Sequence, residues 1–170
     1  MFRKLIFGFA MFAGLPAGEA LTADLAPEGK IDVTWTYVSA PSSMPTEGGQ
    51  EFMMGEATII AIGNIPGSLL HQMSGRCMMS GPNDPKGGAF KLTGRCTYRD
   101  GDGDMIFATD EEGAASMSDP ARGVGKFVGG TGKYTGITGG YDFTDEFFIE
   151  VKPGVFGGGG TKKGSYKIVK

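Results

Sequence analysis

Apolar and polar residues alternate with period two along most of this chain. In Ile31–Val38 the odd positions Ile31, Val33, Trp35 and Tyr37 are apolar or aromatic, and Asp32, Thr34 and Thr36 fall between them. That is the mark of a strand with one buried face. Phe52–Ile62 puts Phe52, Met54, Glu56, Thr58, Ile60 and Ile62 on one side against the smaller Gly55, Ala57 and Ala61. The bulkier side is expected to face the interior, with Glu56 as its one acid. Leu69–Met79 gathers Leu69, His71, Met73, Gly75, Cys77 and Met79, and Ala89–Arg99 gathers Phe90, Leu92, Gly94, Cys96 and Tyr98. Met105–Thr109 reads as a further strand, followed by a Gly/Ser/Asp/Pro loop to about Gly123. Shorter strands are predicted at Gly123–Val128, Lys133–Thr138 and Ser165–Val169. A longer one, Tyr141–Val151, carries Tyr141, Phe143, Asp145 and Phe147 on one face. The Gly157–Gly160 run reads as a flexible loop.

Hardly any stretch after the first twenty residues holds apolar residues at helical spacing without a Gly or Pro breaking it. The fold class is therefore all-β. About eight strands with one apolar face each bury those faces best as a closed antiparallel barrel, which also removes exposed sheet edges; a two-sheet sandwich is the alternative. No linker or shift in composition divides the chain, so residues 24–170 are expected to form a single domain.

The opening segment has a different character. Arg3 and Lys4 precede an apolar run from Leu5 to Leu15, followed by Pro16, Gly18 and Ala20, the layout of a secretory signal with cleavage after Ala20 or Ala23. The run is too short for a permanent span, although a retained anchor is the alternative. Secretion or a periplasmic location follows, with no membrane association after the leader is removed. Loss of residues 1–20 removes two positive charges and one negative one, taking the formal net charge from −3 to −4. With no basic block in a mildly acidic domain, nucleic acid is not an expected partner. Homo-oligomerisation stays open.

An exported chain meets an oxidising compartment, and this one has two cysteines, Cys77 and Cys96. A hairpin turning near Lys86 and Gly87 sets them opposite one another on the apolar faces of their strands, so a disulfide is expected, with buried thiols or a metal pair as alternatives.

The segment Gly129-Gly130-Thr131-Gly132-Lys133-Tyr134-Thr135-Gly136-Ile137-Thr138-Gly139 resembles the Gly-rich segment of the allene oxide cyclase and dirigent barrel superfamily. The cysteine hairpin followed by an Asp-Gly-Asp turn is similar to secreted bacterial members of that superfamily. The resemblance implies an eight-stranded antiparallel barrel with a hydrophobic cavity. It transfers no catalytic residue, because no second motif matches, and fold alone does not carry activity. Gly132-Lys133 is followed by Tyr134 where a phosphate loop needs Ser or Thr, so nucleotide binding is not expected. Nor is any cofactor.

Three residues stand out for chemistry. Glu56, His71 and Asp145 each sit alone among apolar neighbours on faces assigned to the interior, and a buried ionisable group is satisfied locally, sits in water at a barrel mouth, or transfers protons. They are the catalytic candidates. Trp35, Tyr37, Phe52, Met54, Tyr98 and Phe143 are the candidates to contact a ligand. Asp100, Asp102 and Asp104 alternate as in a calcium loop, but Met105 stands where that loop's sharp turn needs Gly, so a plain hairpin turn competes with a weak calcium site. The functional expectation is a barrel that binds a small apolar or aromatic molecule inside. The alternatives are a cyclase or isomerase using a cavity acid or histidine, and a solid envelope barrel acting through protein contacts.

Overall fold

The computed structural model describes residues 25–86, 88–116 and 119–169. The expected leader, Met1–Ala20, lies outside the described residues. Nine strands follow one another: β1 (Glu28–Ser39), β2 (Ser42–Pro45), β3 (Glu51–Gly63), β4 (Met73–Asn83), β5 (Phe90–Arg99), β6 (Met105–Ala114), β7 (Ala121–Gly130), β8 (Ile137–Lys152) and β9 (Val155–Ile168). Each of β3 to β8 pairs antiparallel with the next, β9 pairs with β1, and β1 pairs with β3, closing an eight-stranded barrel. The short β2 lies outside the closed set. It continues the β1 ladder on β3 in the same register past Ala40 and Pro41, with Ser39 opposite Ala57 and Ser42 opposite Met54.

The period-two reading holds along most walls. Ile31, Val33 and Trp35 of β1, Met73 and Cys77 of β4, Leu92, Cys96 and Tyr98 of β5, and Tyr141 and Phe143 of β8 are buried inside. Cys77 and Cys96 are direct partners across β4 and β5 and form a disulfide.

β3 is turned the other way from the expectation. Ile59 is 2% exposed and Ala61 is fully buried, whereas Ile60 is 58% and Ile62 50% exposed. Except at Met53 and Ile59 the inward groups on this wall are small, and rings from other strands lie against it. Gly75, paired with Ile59, lies so close to the Tyr98 ring that a Cβ there would crowd it. A barrel filled from one side favours small residues on the other, so Gly55, Ala57 and Ala61 face inward beside Ile59.

Two glycine segments also differ from expectation. Gly157–Gly160 is part of β9 and buried, paired with β1 on one side and β8 on the other. A Cβ on Gly158 would strike the Tyr37 ring, so the glycines let a large aromatic lie flat on the wall. Lys133–Thr138 is not a separate strand. Gly132–Tyr134 makes one short 3-10 turn, and β8 starts at Ile137.

The two ends of the barrel differ. At one end Leu69 and Leu70, from the β3–β4 connection, are buried as a plug, and Ser68 Oγ accepts a hydrogen bond from the Asp32 amide. The β8–β9 hairpin overshoots the other end and leaves Phe147, Phe148, Ile149 and Val151 exposed.

Candidate functional site

The overshot end opens into a cavity of about 210 Å³ inside the barrel. Its upper wall is apolar: Met53 and Met79 from β3 and β4, Phe90 and Leu92 from β5, and Phe147 and Phe148 from β8. Deeper, Trp35 and Tyr37 of β1 stack on each other with ring centroids 5.2 Å apart, and Phe143 meets the Trp35 indole edge-on at 5.8 Å. The indole N–H donates to the Thr144 carbonyl at 3.2 Å, so the ring is fixed in place.

At the bottom lies a buried charge. Lys162 of β9 is 1% exposed. Its Nζ donates to Asp110 Oδ2 at 3.3 Å and to the Tyr98 hydroxyl at 3.1 Å. The ammonium also sits 4.5 Å from the centroid of Trp35 and 4.4 Å from those of Tyr141 and Phe143. Tyr141 donates to the other oxygen of Asp110 at 2.8 Å, and the Tyr98 and Tyr141 hydroxyls are 2.9 Å apart. Burial on its own opposes the charge on Lys162, but Tyr98 and Asp110 outweigh it and hold the ammonium above the ordinary lysine value. A buried ion pair persists only with its remaining donors and acceptors satisfied, and this one is satisfied by two phenols and a ring of aromatic faces.

Two more carboxyls face the space above. Asp145 accepts from the Tyr37 hydroxyl at 2.6 Å and from the Gly159 amide at 3.0 Å. Burial raises its carboxyl above the usual range, and those two donors limit the rise. Burial and the neighbouring Asp145 push the Tyr37 phenol far up in turn. Glu112 of β6 lines the cavity and is half-buried. No hydrogen bond among the described residues reaches its carboxyl. Burial, with the charge of Asp145 beside it, pushes that carboxyl up to about 7 against a smaller opposing pull from Lys162.

Of the residues expected at the site, Trp35, Tyr37, Phe143 and Asp145 line the cavity. Tyr98 lies beneath its floor, fully buried and bound to Lys162. Phe52 and Met54 are on the outer face of β3, a consequence of that strand's inverted parity, and Met54 is exposed. Glu56 shares that face. Its position borders the mouth, but its carboxylate takes both bonds of the Arg76 guanidinium across the strand pair, the second at 2.6 Å, which holds it below the usual range. His71 is outside the cavity as well. It sits exposed in the turn before β4, at the plugged end, where its Nδ1 accepts from the Gly63 amide at 2.9 Å. β4 begins at Met73, beyond His71, so the alternation that placed the imidazole inside does not apply.

The acidic turn is a turn. Asp100 Oδ1 accepts from the amides of Asp102 and Asp104, at 2.9 and 3.0 Å. The Lys133 ammonium lies 2.7 Å from both Asp100 and Asp102 and supplies a positive charge to the turn. Tyr134 donates to Asp100 at 2.9 Å, and Thr131 Oγ1 accepts from the Met105 amide at 2.9 Å. The Gly-Thr-Gly-Lys-Tyr run thus ties the β5–β6 turn to the β7–β8 connection. Among the described residues the atoms that could gather on a metal are those of Cys77, Cys96 and Asp110, and both sulfurs are spent in the disulfide.

Lys162, Asp110 and Glu112 are functional candidates that sequence reasoning misses. The signal is present in β6, where Ile106, Ala108, Asp110 and Glu112 share one parity, but three successive acids from Asp110 to Glu112 read as loop. In β9 Lys162 shares its parity with Tyr166 and Ile168, but it stands amid glycines. Comparison with protein-family models, curated proteins and solved structures finds no match to this chain.

Proposed function

We propose that the barrel is an exported binding protein for a small apolar or aromatic molecule, held in the cavity above Lys162. The observation that carries this reading is the cavity itself: open at one end, about 210 Å³, and walled by fixed aromatic and methionine side chains. Sites for small ligands have this form, with an apolar concave wall and a few placed polar groups. A cavity of roughly 150 Å³ suffices for benzene, so this one suits a single ring with a short substituent. Export rests on the layout of Met1–Ala20 and on the disulfide, which persists in oxidising compartments. No helix among the described residues is long and apolar enough to cross a membrane. A solid barrel working through its surface would lack the cavity.

An isomerase reading keeps one specific support, a carboxyl poised near neutrality beside the cavity. On that reading proton transfer belongs to Glu112 with Asp145, not to Glu56 or His71. Mass spectrometry of small molecules extracted from the purified chain tests the binding reading. A stoichiometric aromatic or apolar compound of fitting size is the expected result. Failure both to recover a compound and to bind any small aromatic added back overturns it.

A further inference from the structure

We propose that the cavity selects a small aromatic amine, with the ligand's ammonium on Glu112 and its ring among Trp35, Tyr37 and Phe143. The inference rests on the binding reading above and specifies its ligand.

Charge and hydrogen bonding carry the argument. Four ionisable side chains from three strands line the cavity: Asp110 of β6 and Lys162 of β9 are buried, and Glu112 of β6 and Asp145 of β8 are half-buried. Three more acids stand at its rim. Glu56 is paired with Arg76, and Asp119 and Glu146 are exposed to water. Of these four, Asp110 and Lys162 compensate each other. Asp145 has its two donors, Tyr37 and the Gly159 amide. The neighbours of Glu112 across the ladder, Leu92 on β5 and Gly123 on β7, bring it no charge or side-chain donor, and Lys162 spends its hydrogen bonds on Asp110 and Tyr98. The carboxyls inside the cavity thus exceed the cations there, and Glu112 is the one that no hydrogen bond among the described residues reaches. A half-buried carboxylate is partly stripped of its water, and a ligand ammonium supplies it with a counter-charge and donors at once.

The wall suits the same ligand. Trp35, Tyr37 and Phe143 present ring faces that attract cations as well as stack with an aromatic body. The protein's own ammonium already lies against Trp35 and Phe143 from below. An anionic ligand would instead meet Glu112 and Asp145 with like charge, and it would have to displace Asp110 to reach Lys162.

The test is calorimetric titration of the full mature chain at pH 8 and pH 5 with three probes of one size: phenethylamine, 2-phenylethanol and phenylacetate. Trp35, the chain's single tryptophan, reports entry by its fluorescence. At pH 8 the amine should bind at least about ten-fold tighter than the alcohol, and phenylacetate more weakly than either. Protonation of Glu112 at pH 5 should erase the preference for the amine. Glu112→Gln should erase it at pH 8, weakening the amine at least about five-fold more than the alcohol. Equal binding of amine and alcohol at both pH values overturns the amine inference and leaves the binding reading standing. An amine preference that survives in Glu112→Gln also overturns it. Absence of binding by all three probes overturns the amine inference, and together with failure to recover a compound from the purified chain it overturns the binding reading too.

Discussion

The two ends of this barrel treat their acids differently. At the plugged end Asp100 accepts four hydrogen bonds, from the amides of Asp102 and Asp104, the Tyr134 hydroxyl and Lys133. Partial burial would raise its carboxyl, but the bonds from Lys133 and Tyr134 hold it below the usual range. At the open end Glu112 accepts none among the described residues and is pushed up to about 7. An acid whose every lone pair is answered by the chain holds structure together. A half-buried acid that the chain leaves without a donor lowers stability when ionised, and the fold keeps it beside a cavity that a ligand can enter.

Between the ends stands the Lys162 cluster, and breaking it should have the largest effect. Lys162→Met leaves Asp110 buried with only the Tyr141 phenol, and loss of one member of a buried pair costs about 3–5 kcal/mol. Urea unfolding should show that loss, and adding Asp110→Asn should restore much of it, because the stranded charge disappears. A single variant as stable as the parent would mean that the cluster is not a satisfied core, and the contrast with Glu112 would collapse.

Glu112 sharpens the contrast through pH. Its folded value, about 7, lies above the ordinary 4.5, so the folded state binds the extra proton between those limits. Stability is therefore greatest below pH 4.5 as far as this group is concerned, and it falls as pH rises through about 7. Asp145, also raised, acts in the same direction. Glu112→Gln should be more stable than the parent at pH 8, by at most about 3 kcal/mol, and about equal to it at pH 4. Urea midpoints at the two pH values measure the difference. A variant destabilised equally at both would assign Glu112 to structure.

How much of this is legible in the sequence depends on what fills each face. β1 and β5 carry large apolar residues inward and polar ones outward, so alternation identifies both the strands and their parity. β3 reads as the reverse, since Ile60 and Ile62 face outward and Ala57 and Ala61 inward. Alternation finds the strand there, but size misleads about its face, because the inner volume belongs to Trp35 and Tyr98 from other strands. That error draws Glu56 into the expected site, and a strand start placed before Met73 draws in His71. Lys162 is hidden for the complementary reason: its neutralising partners, Asp110 and Tyr98, are 52 and 64 residues away, and only barrel closure brings them together.

The smallest effect belongs to the plugged end. Asp100→Asn keeps one acceptor oxygen but loses the charge that Lys133 and Tyr134 bind, a cost of about 1–2 kcal/mol for the weakened charge-assisted bonds. Because its folded value is depressed, the contribution of Asp100 is present above the ordinary carboxylate range and disappears as pH falls through the folded value. The variant should therefore trail the parent at about pH 7 and draw level with it in acid. Ligand affinity in the cavity should not change beyond about two-fold, since the turn lies at the opposite end and shares no partner with Glu112. Thermal unfolding across pH, with probe titration on the same samples, separates the two readouts. A roughly ten-fold change in probe affinity would show that the ends are coupled through the walls, and the division into a structural end and a binding end would have to be abandoned.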